Sequence, residues 1–146
     1  MEVQTTKRQI AYKVKISDLI TGHYVKEEGW EPNYVVTKKG NISRANIIGV
    51  IVLTSSEGSA PSITIDDGSG QIIVRNFENP KIFENLNLGD PVLIIGRPRD
   101  FNGIYIIPEI IKKIENKKWL DVRKKELDFD FKNEETINTV KHTLEK

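Results

Sequence analysis

Cysteine is absent from the chain, which excludes disulfides, thiolate metal sites and cysteine nucleophiles together. Histidine is scarce. His23 and His142 lie in unrelated segments with no serine or carboxylate array around them, and nothing has the ligand spacing of a metal site. No GxxxxGK[ST] phosphate loop occurs, and the one GSG, Gly68 to Gly70, lacks the strand, glycine spacing and helix of a dinucleotide site. Long apolar runs are missing too: none approaches the roughly 20 residues of a membrane span, and the N-terminus does not resemble a signal peptide. Net charge is nearly absent, at +1 from 22 Lys and Arg against 21 Asp and Glu. A chain so balanced does not condense nucleic acid by charge alone, so any such affinity must be local. These absences lead us to expect no enzyme, no cofactor, no metal, no small-molecule substrate and no membrane partner.

What is present is a β-rich pattern. SITI and QIIVRNF are apolar and β-branched, and Asp66, Asp67, Gly68, Ser69 and Gly70 between them tolerate the positive φ of a hairpin turn. Asp66 and Asp67 are therefore read as turn residues and not as an acid pair. Pro80 to Leu86 carries Ile82, Phe83 and Leu86 as a one-sided stripe, which predicts a short helix covering a barrel end. Gly89 and Asp90 turn the chain into PVLIIG, and Asn102 with Gly103 makes a second hairpin to IYII. Arg44 to Leu53 is the long first strand, with Gly49 at its middle where a strand bends to join both halves of a closed barrel. Five strands with a helix between the third and fourth give a mainly β fold class, the five-stranded OB-fold barrel. An N-terminal extension and a C-terminal helix flank it.

The division expected is an arm and wrapping extension over 1–40, a barrel core over 41–116 and a helical region over 117–146. Met1 to Ile10 reads as a mobile arm. YKVKI reads as an edge strand with Tyr12, Val14 and Ile16 on one face, and Ser17 as the cap of the turn that follows. Trp30 and Tyr34 are expected to be buried anchors of the wrapping segment, with base stacking as the alternative, and VVT as an extra strand. Beyond the barrel, Trp119 to Leu127 suggests a helical turn or two. Asn133 can cap a last helix in which Ile137, Val140 and Leu144 form a narrow seam. So short a helix is marginal alone and must dock, on its own barrel or on a partner.

Binding chemistry gathers around the third strand. By the period of two, Ile72, Val74 and Asn76 share one face and Ile73, Arg75 and Phe77 the other, and residue type leaves open which points inward. In the fourth strand Val92 and Ile94 fit the inward positions, whereas Arg97 and Arg99 lead to the loop holding Phe101. Facing outward, Arg75, Phe77, Arg97, Arg99 and Phe101 offer cations for phosphates and rings for bases, the means by which single strands are held without sequence readout. Facing inward, the rings are barrel core. Lys112, Lys113, Lys117, Lys118, Arg123, Lys124 and Lys125 form a basic cluster that is equally well read as a solvated helix face.

IDDGSGQIIVRNF, GDPVLIIGRPRDFNG and ISDLITGHYVKEEGWEPNYVVTK followed by SRANIIGVIV, in that order, resemble the middle subunit of replication protein A and its archaeal homologues over about Lys13 to Lys118. The resemblance implies stacking roles for Phe77 and Phe101, a basic neighbour in Arg75 and a further aromatic in Tyr105. It also implies a hetero-oligomer, a heterotrimer in the family, whose core is built by helices such as the Ile137, Val140 and Leu144 seam or the segment around Trp119. Many members carry a winged-helix domain after such a helix; with the sequence ending at Lys146 none is expected here, so its interactions are not carried over. The expected function is a non-catalytic single-stranded DNA-binding subunit in replication, repair and recombination, located in the cytoplasm of an archaeal cell or the nucleus of a eukaryotic one. Two alternatives stand beside it: an assembly protein with little DNA contact, and an RNA- or tRNA-binding module.

Overall fold

The computed structural model describes residues 10–55 and 61–128. Nine strands are described: β1 (Tyr12–Lys13), β2 (His23–Val25), β3 (Tyr34–Thr37), β4 (Gly40–Ile42), β5 (Ala45–Ser55), β6 (Ser62–Asp66), β7 (Gln71–Arg75), β8 (Pro91–Asp100) and β9 (Ile104–Lys113). The helix α1 (Ile16–Ile20) precedes β2, a 3₁₀ turn occupies Pro80–Phe83 between β7 and β8, and residues 118–128 are helical (α2).

Strands β5, β6, β7, β9 and β8 hydrogen-bond in that order, and β5 pairs again with β8, so the barrel closes. Closure works because β5 changes partner midway: it pairs with β8 from Ala45 to Val50 and with β6 from Val50 to Ser55. Gly49 lies at the switch. A Cβ there would stand 2.9 Å from the Asp66 carbonyl oxygen, so the absence of a side chain is what lets β6 cross so closely. Two bulges add curvature. One leaves Val52 as the extra residue of β5, and the other leaves Glu109 as the extra residue of β9, opposite Ile95 and Gly96.

The inward positions obey the period of two. Ile47, Ile51, Ile63, Ile65, Ile72, Val74, Val92, Ile94 and Ile106 are all buried in one cluster. Each is worth roughly 1.5 to 3 kcal/mol of transfer free energy when fully buried, so the barrel interior dominates the stability of the chain. Asn76, on the same face, is the polar exception. Its side-chain amide donates to the Pro108 carbonyl at 3.1 Å, and its Oδ1 accepts from the Glu78 and Asn79 amides, so its burial costs little.

Several expectations are corrected. The Pro80–Leu86 helix is a single 3₁₀ turn, because Glu84 is already extended and Asn85 takes a φ of 66°; Phe83 and Leu86 nevertheless pack on the core. The edge strand is only β1, paired parallel to β5, since Ile16 opens α1. Ser17 does not cap that helix. The Ile16 amide donates to Asp67 Oδ2 at 2.9 Å and the Ser17 amide to Ser69 Oγ at 3.0 Å, so the turn between β6 and β7 does the capping. Ile16 and Leu19 are thereby held in the core.

The wrapping segment forms a three-stranded antiparallel sheet, β2-β3-β4, rather than one extra strand. Val35 anchors it in the core. Trp30 is fully exposed at 102%, and Tyr34 is half-buried. Tyr34 is pushed above the ordinary phenol value by its hydrogen bond to Glu27. Trp30 fails as an anchor because Gly29, at φ 82°, carries it into a turn away from the strands.

α2 docks through Leu127 and Arg123, both buried; the Arg123 guanidinium donates to the Asn46 carbonyl and side-chain oxygen, each at 2.9 Å. Burial lowers its pKa. Of the expected arm over Met1 to Ile10 only the exposed Ile10 is described, and the rest of it, with the seam of Ile137, Val140 and Leu144, lies outside the described residues.

Candidate nucleic-acid interface

The register of β7 decides the question left open by residue type. Ile72 and Val74 face the core, so Ile73, Arg75 and Phe77 face outward, and Phe77 is 58% exposed. Asn76 keeps it so, because its side chain is tied to the Pro108 carbonyl of β9 and holds the Glu78 and Asn79 amides that follow the ring.

β9 lies between β7 and β8 on this face. Ile73 is opposite Tyr105, and Tyr105 is opposite Arg99, so the three strands present one continuous row. The row continues into the β8–β9 hairpin. Asn102 and Gly103 both adopt positive φ, at 55° and 121°, and the Gly103 amide donates to Asp100 Oδ1 at 3.2 Å. The tight turn lifts Phe101 into solvent at 73% exposure.

Arg75 organises the rings around it. Its guanidinium carbon lies 5.8 Å from the Phe77 ring centroid and 5.9 Å from that of Tyr105, within the range of cation–π attraction. A ring covered by a cation on one face retains the other for a base. Arg75, Phe77, Arg99, Phe101 and Tyr105 together line one groove of about 520 Å³.

Arg97 stands apart from that groove. It shares the outward face of β8 with Arg99, but its Nε lies 3.4 Å from Glu109 Oε1, the same oxygen that pairs with Arg44 Nε at 3.1 Å, so the bulge residue of β9 engages it away from the groove. Trp119 is also elsewhere. It is 55% exposed on α2 and lines a hollow of about 700 Å³ where that helix meets Leu93 and Ile114 of the barrel.

Four lining residues were missed by sequence reasoning: Tyr24, Lys26 and Asn33 from the extension, and Asp100 at the end of β8, whose carboxylate is held by the Gly103 amide. Tyr24 packs on the core while lining the groove, Lys26 is exposed, and Asn33 Oδ1 accepts from the Glu27 amide at 2.9 Å. Nothing local marks the three from the extension, since their place depends on how β2 and β3 fold back on the barrel. The acidic turn is fully occupied by structure: Asp66 Oδ1 accepts from the Gly68 amide at 2.7 Å, and Asp67 bonds Ser69 and Ile16. Among the described residues no group of His, Cys, Asp and Glu could hold a metal ion, and no helix is long and apolar enough to cross a membrane.

A closed barrel in this strand order, with parallel β7 and β9, a 3₁₀ turn before β8 and an aromatic, cationic outer face, is an OB-fold. Solved structures of the same shape include a chain of the S. pombe Stn1–Ten1 complex, at 18% identity and a TM-score of 0.69 over 88% of this chain and 96% of that one. A chain of a replication protein A heterotrimer bound to single-stranded DNA superposes at a TM-score of 0.67 with 14% identity, covering 86% and 98%. A chain of yeast replication protein A bound to single-stranded DNA gives 0.63 at 21% identity, covering 83% and 90%. The resemblance to the replication protein A family thus holds at the level of the fold. An uncharacterized protein of Methanocaldococcus jannaschii is 28% identical over 121 residues, 82% of this chain and 48% of that protein. The chain therefore spans about half the length of that curated relative. No family model matches the sequence.

Proposed function

We propose that the chain is a single-stranded DNA-binding subunit of a replication protein A-like complex, acting without catalysis. The observation that carries this reading is the outward face on which exposed Phe77 and Phe101 flank Arg75, Tyr105 and Arg99 in one groove. Bases stack on the rings and phosphates meet the guanidinium groups, a mode that needs no base identity. With a net charge of +1, affinity for nucleic acid depends on this face and not on the whole surface. The fold neighbours found in complexes with single-stranded DNA agree with it. The exposed Trp119 on α2 supports the second half of the reading, a place in an assembly.

Binding of a fluorescent oligothymidine at low salt tests the platform. Phe77→Ala and Phe101→Ala should each weaken it by about 1 to 3 kcal/mol, the worth of one stacked base. Unchanged affinity in both variants would refute the stacking assignment. Competition with oligouridine measures how far the same face accepts RNA.

A further inference from the structure

We infer that the N-terminal extension is a second wall of the strand groove, with Lys26 taking a phosphate and Tyr24 contacting the nucleotide beside it. This rests on the proposed strand-binding role of the barrel face. Arg99, Phe101 and Tyr105 supply one side of the groove from β8 and β9, and Tyr24 and Lys26 supply the other from the end of β2. An open barrel face holds a strand by one surface. A walled groove restricts it from two, and the phosphates of a strand stacked along the aromatic row then run between cations on both sides.

The wall is held firmly enough for this. Tyr24 packs against the barrel core, β2 pairs with β3 through Tyr24 and Val35, and Val35 is itself buried in that core. Asn33 closes the base of the β2–β3 loop by accepting the Glu27 amide, so Lys26 projects from an anchored backbone. Charge selects among the neighbouring residues. Lys26 is the cation of its loop, whereas Glu28 and Glu31 lie within two positions of Trp30 in the chain and bring negative charge to that end of the loop. A phosphate backbone is repelled there, so the strand passes Lys26 and leaves Trp30 uncontacted.

The test compares Lys26→Ala with the parent chain in oligothymidine binding across a salt series. Lys26 is exposed, so its replacement leaves the fold intact. Loss of one phosphate contact should lower the slope of log K against log salt by about 0.7 in magnitude. Lys26→Glu should weaken low-salt binding by about tenfold, while Trp30→Ala leaves it unchanged. If Phe77→Ala weakens binding while Lys26→Ala and Lys26→Glu leave affinity and slope as they were, the extension is scaffold and the inference is overturned. If Phe77→Ala and Phe101→Ala are without effect, the platform itself fails and takes the wall with it, a result distinct from the first.

Discussion

Gly96 in β8 shows how a single hydrogen atom shapes the pairing of β8 with β9. A Cβ at this position would meet the Ile107 carbonyl oxygen at 2.4 Å and the Pro108 Cα at 2.9 Å, and backbone atoms of a paired strand cannot move aside. Gly96→Ala should therefore destabilise the chain by about 1 to 3 kcal/mol in urea unfolding; an unchanged midpoint would show that the bulge opposite it can relax. Asn76 is the other decisive residue. The sequence pattern of β7 has an apolar pair and a polar residue on each face, so its parity was not legible. What settles it is the Pro108 carbonyl, 32 residues away, which satisfies the Asn76 amide and makes its burial tolerable. Phe77 and Phe101 were legible as ring candidates, and their exposure follows from partners that no local pattern displays. Arg97 reads like Arg99 by residue type. Only the bulge that places Glu109 beside it separates the two.

Among the elements, β5 to β9 were readable because β-branched alternation and Asp-Gly or Asn-Gly turns agree with one another. The short elements were not. The 3₁₀ turn at Pro80–Phe83 keeps the apolar stripe of a helix, yet Asn85 ends it through a positive φ that its neighbours do not announce. Helix α1 is capped from another hairpin, so its start could not be read from Ser17. Asp67 consequently joins two elements: its Oδ1 accepts from Ser69 within the turn, and its Oδ2 accepts from Ile16 at the helix start. Asp67→Ala should cost about 1 to 2 kcal/mol, the usual loss of a helix cap, and should speed amide exchange at Ile16 and Leu19. Asp67→Asn keeps an acceptor and should recover much of it. Equal stability of all three chains would assign the cap to water.

On the scale of the whole molecule, the barrel carries an extension on one side of its outer face and α2 on another. The extension lines the groove, whereas α2 closes over β5 through Arg123 and leaves Trp119 in the open. Two surfaces with different chemistry are thereby separated: a groove lined by aromatic rings and cations, and a helix that leaves Trp119 and Val122 exposed. In the proposed function the nucleic-acid strand lies along β7, β9 and β8. Amide chemical shifts of the isotope-labelled full chain, followed during titration with oligothymidine, test it most directly. The expected result is saturable shifts gathered at Arg75, Phe77, Arg99, Phe101 and Tyr105 and extending to Tyr24 and Lys26. Shifts confined to residues 118–128, or none at saturating oligonucleotide, would contradict it.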